Sequence, residues 1–175
     1  MAQFVVLIGV SGSGKTTIGQ ALAQVLGWPF YDGDDFHPPE NIAKMAAGHP
    51  LDDRDRQPWL ERLGRLIHEH LAQDKDALLA CSALKKDYRD QLRQGNPGLR
   101  FIYLEGGFDL IWERMAARPG HYMQASMLRS QFADLEPPGP EEALAVSIDQ
   151  PVAAILGEIL QVLKKRADNQ DEGQQ

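Results

Sequence analysis

At 175 residues the chain has room for one domain with a sizeable core and is short for two. Its 43% hydrophobic and 25% charged residues suit a soluble globular protein, and a formal charge of −7 excludes a general nucleic-acid binder, which needs a basic face. Cys81 is the sole cysteine, so no intrachain disulfide can form; with no run near the roughly 18 apolar residues that span a bilayer, a cytoplasmic setting is expected.

"FVVLIGV", residues 4–10, is a β-branched run ended by glycine and reads as a strand buried on both faces of a parallel sheet. "KTTIGQALAQVLG" follows a glycine-rich loop, sets Ile18, Leu22, Val25 and Leu26 at helical spacing, and stops at Gly27. "WPFYD" is a second strand and "PPENIAKMAAG" a short helix with prolines in its first turn. "RQPWLERLGRLIHEHLAQ" places Trp59, Leu60, Leu63, Leu66, Ile67 and Leu71 on one face of a longer helix.

"ALLACSA" is the third strand, followed by a helix over "KKDYRDQLRQ". "RFIYLEG" is the fourth strand, and "FDLIWERMAAR" another helix. "PGHYM" interrupts before "QASMLRSQFADL" resumes the helical pattern. "ALAVSID" is the fifth strand, and "PVAAILGEILQVLKK" closes the chain. The alternation predicts an α/β fold of three layers, a five-stranded parallel sheet between helices. Residues 1–166 form a single domain in this reading, with a helical lid over about 114–136 and a disordered polar tail over 167–175.

The loop after the first strand, "GVSGSGKT", matches G-x-x-x-x-G-K-[ST] without a gap and sits between a predicted strand and a predicted helix. Glycines let backbone N–H groups converge on phosphate oxygens, and the helix N-terminus favours negative charge. Gly9, Val10, Ser11, Gly12, Ser13, Gly14, Lys15, Thr16 and Thr17 are therefore expected to bind a nucleoside triphosphate. Lys15 would reach the β- and γ-phosphates, and the Thr16 hydroxyl would ligate Mg²⁺.

No N-K-x-D string for guanine is present, and the third strand carries no acid at its tip. Asp32 or Asp34, at the end of the second strand, can supply the missing metal-side acid. Such substitutions, and the chain's size, fit P-loop kinases of the nucleoside and shikimate kinase type. Arg114 and Arg118, four apart before a Pro-Gly break, can close over ATP as lid residues; the alternative is a solvated helix face.

A kinase that phosphorylates a hydroxyl needs a carboxylate to accept or orient its proton. Asp32 and Asp34 alternate along an extended segment at the carboxyl edge of the sheet, which turns both toward the loop and Asp35 elsewhere. His37 is near enough to contact the acceptor; a surface or capping histidine is the competing reading. Ser82, Lys85 and Arg89 follow the third strand, with Lys85 and Arg89 sharing a helix face as a clamp for an anionic substrate, and "LDDRDRQPW" adds Arg56. Cys81 reads as a small core residue.

"GVSGSGKT", "DGDDFHPPENIAKMAAGHPLDDRDRQPWL", "CSALKKDYRDQLR", "FIYLEG", "RMAARPGHYMQASMLRSQFADLEPP" and "IDQP" together resemble the small P-loop gluconokinases, relatives of shikimate kinase. The resemblance runs from about residue 4 to residue 165. It implies ATP-dependent phosphorylation of D-gluconate at its 6-hydroxyl to 6-phosphogluconate, with Mg²⁺, in a homodimer whose lid closes on ATP. Carried onto this sequence, it implies that the loop from Gly9 to Thr16 binds phosphates, that Asp34 accepts or orients the hydroxyl proton, that Arg56, Lys85 and Arg89 contact the gluconate carboxylate or phosphate, and that Arg118 is the lid arginine. With the reading of the residues themselves this makes Asp34, Lys15 and Arg118 catalytic, puts Thr16 and Asp32 on the metal, and adds His37 and Ser82 at the acceptor. Arg54 and Tyr122 depart from the family's pattern at positions outside its motifs. A kinase for shikimate or another hydroxy acid, and a module using ATP only as a switch, are the competing functions.

Overall fold

In a computed structural model the chain is described over residues 1–119 and 125–171, with side chains through residue 164. Its elements run β1 (Phe4–Ile8), α1 (Lys15–Leu26), β2 (Phe30–Asp32), a 3-10 turn (Gly33–Phe36), α2 (Pro39–Ala46), α3 (Asp53–Ala72), β3 (Ala77–Ala80), α4 (Lys86–Arg93), β4 (Leu99–Glu105), α5 (Phe108–Ala116), α6 (Ala125–Asp134), β5 (Ala143–Ser147) and α7 (Val152–Asp171). The five strands form one parallel sheet in the order β2-β3-β1-β4-β5, the architecture that alternating strands and helices predict.

β1 is central, and all five of its residues are buried. The period of two then divides its side chains between two cores. Phe4, Val6 and Ile8 pack with Trp59, Leu60, Leu63 and Ile67 of α3 and with Tyr88 and Leu92 of α4. Val5 and Leu7 face the opposite core, with Ile18 and Leu22 of α1, Ile111 and Met115 of α5, Leu128 of α6 and Ile155 and Ile159 of α7. A strand buried on both faces has no polar side, which is why this one reads as an unbroken apolar run. Each such aliphatic or aromatic side chain contributes about 1.5–3 kcal/mol through burial.

The sheet register brings the chemistry to one edge. Asp32 pairs with Ala80, and Ala80 with Leu7, so the loop after β1, the acids after β2 and the residues after β3 all emerge together. Gly9 donates its N–H to the Ser82 carbonyl at 3.3 Å, which ties the first and third of these segments.

Four expectations change. Val25 is not on the buried face of α1 but 60% exposed, because the helix meets the core through Ile18, Leu22 and Leu26, which leaves Val25 to one side of that stripe. α3 begins at Asp53 rather than at Arg56: Asp52 accepts from the Asp55 N–H at 2.8 Å, and Asp55 accepts from the Asp52 N–H at 3.0 Å, a reciprocal cap. The segment after Asp32 is a 3-10 turn rather than extended chain. The polar end expected to be disordered from residue 167 is helical as far as Asp171; residues 172–175 lie outside the described residues, as do residues 120–124 of the expected lid, Tyr122 among them.

Candidate active site

The loop from Gly9 to Gly14 is shaped by its own backbone. Gly12 has φ +79, and a Cβ there would lie 2.5 Å from Met115 Cγ, so a side chain would collide with α5 as well as strain the turn. Lys15 opens α1 and folds its ammonium back over the loop, donating to the carbonyls of Gly9 at 3.0 Å and Val10 at 2.9 Å. Burial lowers its pKa, and Asp34 is the largest charge acting in the opposite direction. Val10 and Ser13 are buried, at 2% exposure each, and the Ser13 hydroxyl has no hydrogen-bond partner. Those two and Gly9 shape the loop from behind, whereas Ser11, Gly12, Gly14, Lys15, Thr16 and Thr17 face a cavity of about 460 Å³.

The same cavity is walled by Asp32, Asp34, His37, Arg56, Trp59, Ser82 and Arg118. Asp32 and Asp34 thus share a site, but for a different reason than strand alternation. Asp32 caps the 3-10 turn, accepting the Asp34 N–H at 3.0 Å, and the tight turn carries Asp34 round to the cavity. Gly33 makes this possible, since a Cβ there would stand 2.6 Å from the Ala80 carbonyl. Desolvation by the surrounding walls, followed by the neighbouring Asp32, raises the Asp34 carboxyl above its ordinary pKa of 3.8, with Lys15 pulling it down. Asp35 is exposed and does not line the cavity.

His37 is 7% exposed and stacks on Trp59, ring centroids 4.5 Å apart and planes at 12°. Burial, with the Arg56 charge second, lowers its pKa from 6.5 to about 4, so the ring is neutral. His37 is a buried wall residue rather than a surface one, and its backbone also caps the 3-10 turn, its N–H donating to the Asp34 carbonyl at 3.3 Å. Arg56 reaches the cavity from the first turn of α3 while donating to the Tyr88 hydroxyl at 3.0 Å and to Asp134 of α6 at 3.2 Å. Trp59 is held by its own indole N–H, which donates to the Gly33 carbonyl at 2.7 Å.

Three expected contacts are placed elsewhere. Arg89 is not half of a substrate clamp. It is 1% exposed, and its guanidinium donates to Glu142 at 2.6 Å and to the carbonyls of Ala83, Leu84 and Glu136 at 2.8–3.0 Å. Its donors are spent on fastening α4 to the segment before β5, because i,i+4 spacing on an eight-residue helix turned Arg89 inward while Lys85, its N-cap, stays outside. Lys85 pairs with Asp53 at 2.9 Å and does not line the cavity. Arg114 donates to the Ile148 carbonyl at 2.7 Å and also lies off the cavity wall, whereas Arg118 is on it. Cys81 is buried, its thiol pushed up to about 12 by that burial, as suits a core residue.

Gln131 of α6 was not legible from sequence. The Ser11 N–H donates to its Oε1 at 2.7 Å, and its Nε2 donates to the Ser11 hydroxyl at 3.0 Å. Asn41 was missed as well: its Nδ2 donates to the Asp55 carbonyl at 2.8 Å and lies 3.2 Å from His37 Nδ1.

A phosphate loop, a carboxylate and a half-buried arginine thus converge on one cavity, and comparison with known proteins places the chain among relatives. The shikimate kinase family model matches residues 11–163. Thermoresistant gluconokinase of Escherichia coli K12 is 49% identical over 162 residues, covering 91% of this chain and 93% of that protein. The chain belongs to the gluconokinase family. Thermosensitive gluconokinase of the same organism is 48% identical over 144 residues, 82% of this chain and 77% of that protein. The crystal structure of a gluconokinase from Sinorhizobium meliloti 1021 superposes with a TM-score of 0.87 at 44% identity, covering 99% of this chain and 98% of that one. Among the described residues no helix is long and apolar enough to cross a membrane.

Proposed function

We propose that the chain transfers the γ-phosphoryl group of ATP to the 6-hydroxyl of D-gluconate, giving 6-phospho-D-gluconate and ADP. The observation that carries this reading is the sharing of one cavity by the phosphate loop, Asp34, His37 and Arg56, within a family whose members are gluconokinases. Backbone N–H groups of the loop and Lys15 bind the phosphates. Asp34, in its carboxylate form, accepts or orients the proton of the attacking hydroxyl. His37 and Ser82 contact hydroxyls, Arg56 holds the gluconate carboxylate, and Arg118 brings positive charge from the lid to the transferring group.

The residues present fit Mg²⁺. No group of three or more His, Cys, Asp or Glu side chains that could hold a metal exists among the described residues, so an all-protein cage is not offered. Thr16 and Asp32 instead place two hard oxygen donors on the wall that also holds the phosphate loop, the donor set for an ion that takes its remaining ligands from phosphate and water. Bound there, the ion would neutralise phosphate charge. Thr16 and Asp32 would hold it, leaving Asp34 free for the hydroxyl. A homodimer in the cytoplasm, one domain over 1–166 and a lid over about 114–136 complete the reading.

A coupled assay of ADP release with Mg-ATP tests it across gluconate, shikimate and glucose. Gluconate is expected to be preferred by a wide margin; equal or better turnover of shikimate or glucose sinks the assignment, and binding of ATP without turnover of any acceptor favours a nucleotide switch.

A further inference from the structure

His37 carries its proton on one ring nitrogen, and the surroundings decide which. The Asp55 carbonyl can only accept, so the Asn41 side-chain atom 2.8 Å from it is the amide nitrogen and not the oxygen. That same nitrogen lies 3.2 Å from His37 Nδ1 and has a second hydrogen to give. Nδ1 is therefore an acceptor, and the proton of the neutral ring sits on Nε2. Nε2 has no protein partner among the described residues and is not sealed off, and His37 forms part of the cavity wall. The ring is fixed on its flat side by Trp59. Stacking alone tolerates a half-turn of the ring about its Cβ–Cγ bond; the Asn41 contact does not.

We propose that Asn41 is a positioning residue which fixes both the flip and the tautomer of His37, so that a neutral Nε2–H donor faces the acceptor sugar and contributes to its selection. The chain of command runs from the α3 backbone at Asp55, through the Asn41 amide, to the imidazole. A donor without charge is suited to a hydroxyl oxygen of a polyol, and it leaves recognition of the carboxylate to Arg56. Asn41 is 3% exposed and lies at the start of α2, so it acts through His37 rather than by touching sugar. The proposal rests on the gluconate reading for the identity of the sugar only; the proton's place on the ring does not depend on it.

The test begins with the intact wild-type protein and long-range ¹H–¹⁵N correlation of the histidine rings at neutral pH, with His37 assigned by loss of its signals in His37→Phe. A protonated Nε2 and a bare Nδ1 are expected, with the Nε2–H signal moving on addition of gluconate. In Asn41→Leu, which keeps volume and loses the donor, the ring is expected to populate both tautomers. KM for gluconate should rise roughly tenfold while KM for ATP holds. In the His37→Phe background, Asn41→Leu should add no further rise. A bare Nε2 in wild type overturns the proposal, as does a gluconate KM unchanged in Asn41→Leu or a rise that persists in full without His37. If Asn41→Leu does not fold, the wild-type spectrum still decides. Failure of the wild type to phosphorylate gluconate removes the sugar's identity and leaves the tautomer result standing.

Discussion

Gln131 grips Ser11 from both sides: its Oε1 accepts the Ser11 N–H at 2.7 Å and its Nε2 donates to the Ser11 hydroxyl at 3.0 Å. The Gln131 carboxamide thereby satisfies a phosphate-loop amide and ties α6 to the loop across 120 residues of sequence. Gln131→Ala is expected to lower the melting temperature of the ligand-free protein by roughly 2–6 °C, the worth of two part-buried hydrogen bonds. With saturating Mg-ATP the difference should shrink, since phosphate takes the amide over. Scanning calorimetry with and without nucleotide checks both halves, and an undiminished difference in the presence of Mg-ATP would show that the grip survives nucleotide binding.

Asp34→Asn keeps shape and removes the carboxylate proposed to accept or orient the hydroxyl proton. A fall in kcat of about a hundredfold to ten-thousandfold is expected, with ATP affinity roughly kept. The pH dependence has a definite sign. The Asp34 pKa is raised, so the carboxyl takes up its proton earlier on acidification than an ordinary aspartate. Its kcat/KM for gluconate should therefore fall as pH drops through a midpoint above 3.8. Unchanged turnover in Asp34→Asn removes Asp34 from the mechanism.

Lys15→Ala tests the other wall of the cavity. Its ammonium, folded onto the Gly9 and Val10 carbonyls, is positioned to move onto phosphate, and among the described residues no other lysine lines the cavity. Loss of nucleotide binding by titration calorimetry and at least a hundredfold loss of turnover are expected, on the order of one electrostatic contact to the transferring group. Turnover at the wild-type rate would refute the phosphate-loop assignment.

Arg89 separates a structural from a substrate role. Arg89→Met leaves Glu142, 8% exposed in its side chain, without its partner, and a destabilisation of about 3–5 kcal/mol is expected. Gluconate KM should stay within about twofold of wild type in the fraction that folds. Urea denaturation and steady-state kinetics read the two quantities. A stable variant with a large rise in gluconate KM would restore the substrate clamp.

Arg89 also marks how far sequence alone could go. The succession of strands and helices along the chain, the loop and its helix, and the acids after β2 follow from local signals: apolar runs, a gap-free motif, a strand's end at a sheet edge. Pairs placed by i,i+4 spacing fare differently. Lys85 and Arg89 satisfy the spacing, but the helix starts at Lys86, and which face turns inward depends on Glu142, far along the chain. Val25 failed for the same reason, since periodicity gives a face and tertiary packing gives its width. Gln131 and Asn41 had no local signal. Gln131 acquires its meaning from Ser11, and Asn41 from a carbonyl 14 residues on, so only the folded chain shows them.

His37 supplies a prediction on stability. Its folded pKa, about 4, lies below the ordinary 6.5 because burial and Arg56 disfavour the imidazolium. A histidine depressed in this way is neutral in both states above about 6.5. As pH falls from there the unfolded chain binds a proton that the folded protein refuses, so stability is lost down to about 4 and the loss levels off below. The full shift corresponds to about 3 kcal/mol, and water reaching the cavity reduces it. His37→Phe keeps the stack on Trp59 and removes the proton site. Its stability, measured by urea denaturation at pH 7 and at pH 4.5, should fall less between the two than that of wild type by about 1–3 kcal/mol. An equal fall in both proteins would mean that His37 takes up its proton in the folded state as readily as in the unfolded one.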